Sequence, residues 1–172
     1  MLAVCACHPG GAKDQEAVQA LVQQEVHAMN ARDLKVLSQV WSQTPDITLF
    51  DVSPPGRFQG WDSIGRTFND FFGRLAEPHM AIEGLDVRVT GDSAWATYDW
   101  SISGRLDAAT LEDRGRTTSV YRREKEGWKL VHEHVSIAPA PAATAPVAPA
   151  APAAPPAGPQ TKPGSAPAPQ GG

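Results

Sequence analysis

The sequence predicts an α+β fold: a cone-shaped, curved antiparallel sheet with three helices packed on one face, enclosing a cavity. Two observations carry this expectation. Apolar residues recur at helical spacing through the first 75 residues, and beyond Pro78 the period changes to strict alternation. A third observation bounds the domain. From Ala138 onward the chain is almost all Ala, Pro, Gly and Gln, with 11 of the 16 prolines and a single charge, Lys162. Such a segment has too little apolar surface to offset its ordering entropy, so 138–172 is expected to be a disordered, partly polyproline II tail. The folded domain is placed at 13–137.

The elements follow in order. Asp14 is positioned to cap a helix whose inward stripe is Val18, Leu21, Val22, Val26 and Met29. "NARD" interrupts it, and Asp33 caps a shorter helix with Leu34, Leu37 and Trp41 inward, ended by Pro45. "ITLFD", Ile47 to Asp51, reads as a strand, and "VSPPGRFQG" as a turn-rich loop. A third helix carries Trp61, Ile64, Phe68, Phe71, Phe72 and Leu75 on one face. Leu85, Val87 and Val89 then alternate with polar residues up to the turn "TGDS". Ala94, Ala96, Tyr98, Trp100 and Ile102 alternate with Trp95, Thr97, Asp99 and Ser101. A strand near Gly115 to Arg123, the turn "EKEG" and a last strand Trp128 to Ser136 complete an antiparallel meander. A strongly curved sheet covered by helices leaves a hollow, the usual place for a small ligand.

Composition excludes several classes. Net charge is −4, with no basic run or aromatic stripe, which argues against a nucleic-acid partner. No stretch approaches the 18 apolar residues of a membrane-spanning helix. No cofactor motif is legible. The two cysteines, Cys5 and Cys7, are too close for an ordinary disulfide, and Cys-Ala-Cys-His lacks a fourth metal ligand nearby. Residues 1–12 read instead as the remnant of a signal. Val4-Cys5-Ala6-Cys7 resembles a bacterial lipobox with Cys7 as the lipid acceptor, although Cys5 departs from its pattern and the basic leader is missing. The expected location is the bacterial cell envelope, periplasmic or lipid-anchored, with contact to a membrane only through that lipid. The alternatives are a ragged terminus and a cytoplasmic protein.

Three stretches carry a family resemblance: "VQQEVHAMNARDL", "ITLFD" with "FQGWDSIGRTF", and "GWKLVHEHVSIAP". In this order and spacing they resemble the nuclear transport factor 2-like superfamily, in its SnoaL-like branch. The last is similar to the closing strand of the calcium/calmodulin-dependent kinase type II association domain. The resemblance implies the cone-shaped fold but not one function, since the superfamily hosts isomerases, dehydratases, cyclases, binders and oligomerisation modules. Against the ketosteroid isomerase pattern, Asp51 stands at the position of the carboxylate base. The two oxyanion donor positions hold Glu25 and Ser119, which disfavours that reaction. Against the kinase association domain, the pocket arginine positions hold Trp100, Ser119 and Val135, so an anion receptor is not implied.

The resulting site expectation is an aromatic cavity. Tyr98, Trp100 and Trp61 form its walls, and Ser119, Tyr121 and Asp51 its polar points. These suit a small apolar molecule, uncharged or cationic. The same aromatics also fit a plain core. His132 and His134, in "HEHVS", share a face by strict alternation with Trp128, Leu130 and Ser136; Val131, Glu133 and Val135 take the other. They read as sheet structure, as a catalytic or ligand-binding His134, or as metal ligands lacking a third partner; no metal site is assigned. The leading expectation is a small-molecule-binding protein without a complete catalytic set. The alternatives are an isomerase, lyase or cyclase with Asp51 as general base and His134 or Tyr98 as partner, and an oligomerisation scaffold. Trp95, opposite the Tyr98/Trp100 face, leads to the expectation of a homodimer or larger ring through the outer sheet face.

Overall fold

Helix α1 runs Gly10–Ala31 and turns Val18, Val22, Glu25 and Ala28 into the interior. The computed structural model describes residues 10–138. Cys7 and its lipobox-like surroundings, and the Ala/Pro-rich segment beyond Ala138, lie outside the described residues. The helix begins a turn before Asp14, so the expected cap at Asp14 is corrected. Its carboxylate accepts the Trp128 Nε1–H at 3.3 Å and pairs with Arg123, tying the helix to the far end of the sheet. The Arg123 hydrogen bond holds the Asp14 carboxyl below its ordinary range.

Helix α2, Leu34–Val40, starts as expected: Asp33 Oδ1 accepts the Val36 N–H at 3.0 Å and satisfies an otherwise orphan donor. Strand β1 is Thr48–Phe50 and β2 is Arg57–Gln59. Helix α3 is Trp61–Arg74. The meander is β3 (Leu75–Thr90), β4 (Ser93–Leu106), β5 (Ala109–Glu124) and β6 (Gly127–Ile137). The six strands lie in the order β2-β1-β6-β5-β4-β3.

This is an α+β domain: three helices over one curled, unclosed sheet. Two details differ from expectation. The segment read wholly as a loop contains β2, which pairs with β1 through Leu49 and Phe58. Three residues are too few to show a period. The sheet is also mixed rather than purely antiparallel. Three hairpin reversals from β3 bring β6 alongside β1 in the same direction, with Thr48 opposite His132 and Phe50 opposite His134.

Curvature comes from bulges. β3 shifts register between Ala76 and His79 and again between Glu83 and Asp86, and Gly84 takes a positive φ of 64° at the second shift. Each extra residue bends the strand and increases its twist. The concave face receives α1, and the core between them is filled by Val18, Val22, Leu37, Trp41, Ile47, Leu49, Ile64, Tyr121 and Leu130, all essentially inaccessible.

Candidate functional site

A third bulge decides what faces the concave side. In β6, Leu130 pairs with Tyr121 but His132 pairs with Val120, leaving Val131 as the extra residue. Before it Trp128 and Leu130 point inward. After it Glu133 and Val135 do, and His132 and His134 turn to the outer face. The strict alternation that grouped the two histidines with Trp128 and Leu130 is therefore corrected. His132 Nδ1 pairs with Thr48 Oγ1 at 2.7 Å, and the Phe50 ring meets both imidazoles edge-on, at 5.1 and 5.8 Å between centroids.

Inside the cone is a cavity of about 520 Å³, within the range of ordinary small-molecule sites. Its walls are mostly apolar, with Met29, Leu49, Phe58, Phe68, Phe71, Met80, Trp100, Ile102 and Val135 among the lining residues. α1 contributes Glu25, β4 contributes Tyr98 and β6 contributes Glu133. The two glutamates are 4% and 5% exposed, so a pair of carboxyl groups lies at the sealed end of an apolar funnel.

Glu133 Oε1 accepts the Ser119 hydroxyl at 3.0 Å and the Tyr98 hydroxyl at 3.3 Å. Burial raises the Glu133 pKa from its ordinary 4.5 to about 7, against the lowering effect of those two hydrogen bonds; the charge of Asp51 adds to the rise. Burial, and then the neighbouring Glu133, push Glu25 well above the ordinary carboxylate range. The Trp41 indole opposes that rise, yet neither Trp41 Nε1 nor Glu25 Oε2 has a hydrogen-bond partner of good geometry among the described residues. Trp100 Nε1 and the Tyr121 hydroxyl are likewise buried without partners. Burial, with Glu133 next, raises Tyr98 far enough to keep it a neutral donor.

The residues singled out from sequence divide clearly. Asp51, Tyr98 and Trp100 line the cavity. Asp51 is half-buried, and its Oδ1 accepts the Ser53 N–H at 3.2 Å, a local turn contact within the β1–β2 connection. Ser119 and Tyr121 are fully buried behind the wall, and Ser119 acts on the cavity through Glu133. Trp61 does not line it; its ring packs over Gly65 at the start of α3, where a Cβ would meet it at 3.2 Å. His134 is exposed on the outer face and is not brought together with Asp51. Among the described residues no group of three or more His, Cys, Asp or Glu is placed to hold a metal ion.

With this geometry in hand the family is defined. The profile of the SnoaL-like domain family matches residues 18–141, most of the chain, and the chain belongs to that family. No curated protein matches it in sequence. Among solved structures it is similar to a nuclear transport factor 2-like superfamily protein from Salmonella enterica, at 21% identity and a TM-score of 0.69, over 77% of this chain and 96% of that one. It is also similar to a candidate dehydratase of the nuclear transport factor 2-like family from Streptomyces avermitilis, at 22% identity and TM-score 0.66, over 76% and 99% of the two chains. A cystatin-like-fold protein from Caulobacter vibrioides is similar at 20% identity and TM-score 0.62, over 73% and 90%. At these identities the likeness is one of fold.

Proposed function

We infer that this is a small-molecule-binding protein whose ligand lies inside the cone, its apolar body against the aromatic wall and one polar group at the carboxyl end. The observation that carries this reading is the cavity of about 520 Å³ with a predominantly apolar lining and buried polar groups converging at one end. Native mass spectrometry of protein taken from its own cells tests it. One small molecule retained per chain is expected, and a Val135→Phe variant that fills the cavity should fold but carry none. An empty parent chain that also shows no thermal shift with any member of an apolar compound library would overturn the reading.

A second reading is a proton-transfer enzyme of the isomerase or lyase kind. Glu133 favours it, because a carboxyl titrating near 7 at a cavity wall suits general acid–base work. The base would then be Glu133 rather than Asp51, with Tyr98 as its hydrogen-bonded partner. The likeness to a candidate dehydratase is compatible with this reading. Turnover lost in Glu133→Gln with ligand still bound would support it. A ligand released chemically unchanged supports the first reading.

A further inference from the structure

The charge lining the cavity is predominantly negative. Glu25, Asp51, Asp70, Asp113 and Glu133 line it, and among the described lining residues Arg74 is the one cation. Arg74 is already engaged: its Nη2 donates to Asp107 Oδ2 at 2.7 Å, and its Nε donates to the same carboxylate. At the sealed end no guanidinium or ammonium among the described residues meets Glu25 or Glu133; the hydrogen bonds to Glu133 come from two hydroxyls and fall on Oε1. Glu25 Oε2 is buried, and beside it stands the Trp41 indole, whose Nε1 does not reach hydrogen-bond geometry with it.

Two buried carboxyls with so few donors leave free energy to be recovered. An unpaired charge in an apolar site is costly, and a buried acceptor left unmade costs as much as the hydrogen bond it lacks. In the empty cavity the cost is reduced by keeping the groups protonated. A ligand that carries its own positive charge and N–H donors removes it directly, because each carboxylate then gains the partner the chain does not supply. The walls suit the same visitor. Trp100, Phe68 and Phe71 line the cavity, and aromatic faces attract cations.

We propose that the sealed end of the cavity is a receptor for an organic ammonium ion. Its N–H groups donate to Glu133 and Glu25, and its apolar body lies beside Trp100, Phe68 and Phe71. This rests on the reading of the cavity as a ligand site and adds the class of ligand to it. Above neutral pH Glu133 is ionised, so the preference for a cation over a neutral analogue grows with pH. Below that it is protonated, and an ammonium entering the site displaces a proton.

Isothermal titration with three probes of one shape tests the proposal: 4-phenylbutylamine, 4-phenylbutanol and 4-phenylbutanoate. The amine is expected to bind at least tenfold more tightly than the alcohol at pH 8, and the carboxylate most weakly. The amine-to-alcohol ratio should shrink severalfold at pH 5.5 in the unmodified chain, a readout that needs no variant. Glu133→Gln should abolish the pH dependence of that ratio. An alcohol or carboxylate bound as tightly as the amine, or a ratio unchanged by both pH and Glu133→Gln, would overturn the ammonium receptor and leave the binding cavity standing. Failure of all three probes at millimolar concentration would also overturn the ammonium receptor, whereas the binding reading falls only with an empty parent chain and a silent apolar library.

Discussion

Glu133 couples the site to the stability of the fold. Exposed in the unfolded chain, the carboxyl has its ordinary pKa of 4.5; folded, burial raises it to about 7. Between these values the folded state keeps a proton that the unfolded chain has released, so stability is full below pH 4.5 and is lost as pH rises through 7. The loss is on the order of 3 kcal/mol. Urea unfolding should therefore show the parent less stable at pH 8 than at pH 5. Glu133→Gln, which keeps an acceptor for Ser119 and Tyr98, should flatten that slope by a similar amount. Equal slopes in the two proteins would mean that another group titrates. Gly115 gives a second, steric prediction. A Cβ there would lie 1.8 Å from the Ser136 carbonyl oxygen and 2.6 Å from Trp100 Cζ2. Gly115→Ala should cost about 2–3 kcal/mol in the same assay, and a neutral result would mean that the β5–β6 pairing moves freely. Neither residue stood out in the sequence. Glu133 was placed on the Val135 face by alternation, but a lone acid in a strand reads as solvated until α1 and β4 are folded over it. Gly115 looked like a strand boundary.

At the scale of elements, what was legible is what repeats or caps locally. The three helices, the meander and the inward set Ala94, Ala96, Tyr98, Trp100 and Ile102 all follow from spacing, and each is found buried or nearly so. Asp33 was legible as a cap because capping needs only three residues. Asp33→Ala should cost about 1 kcal/mol, measured by thermal or urea unfolding, and Asp33→Ser should recover most of it. A silent Asp33→Ala would mean that packing of Leu37 and Val40 alone sets the start of α2. Asp14 misled because the same residue type also serves a distant partner, and nothing local marks Arg123 or Trp128 as that partner. Bulges are the larger gap. The extra residue at Val131 leaves no compositional mark, yet it exchanges the face of every later residue in β6. That one insertion is why Glu133 faces the cavity together with the face of Leu130, and why His134 does not. The parallel pairing of β1 with β6 was equally hidden, since it joins residues some 84 positions apart, as in Thr48 and His132.

For the whole molecule the open question is the outer face of the sheet. Its central rows run Trp95, Val120, His132, Thr48 and then Thr97, Thr118, His134, Phe50 by strand register. Trp95 is 43% exposed and Phe50 37%. The next row out carries the Asp99–Arg116 ion pair, at 3.2 Å, and Arg57 sits over the Phe50 ring at 5.9 Å. The middle of this face, Trp, Val, Thr, Phe and His, is uncharged and is bounded along the same rows by the Asp86–Arg88 ion pair on β3 and by Arg57 on β2, so its middle is complementary to a copy of itself. Two-fold pairing brings like against like, and uncharged groups tolerate that where charged ones do not. We propose that the chain forms a homodimer through this face. Burial, and then the nearness of His134, hold His132 below the ordinary histidine range, so its neutral form is the one the face is built around. An interface would desolvate the imidazole further, and the sign follows: association is favoured at neutral pH and lost as pH falls through the lowered pKa, when both copies place a new charge opposite each other. Sedimentation velocity at micromolar concentration should show a dimer at pH 7.5 and at least tenfold weaker association at pH 5. Trp95→Asp should be monomeric at both, with an unchanged melting profile beyond the loss due to dissociation. A parent chain that is monomeric at pH 7.5, or a dimer indifferent to Trp95→Asp, would place any assembly elsewhere on the surface.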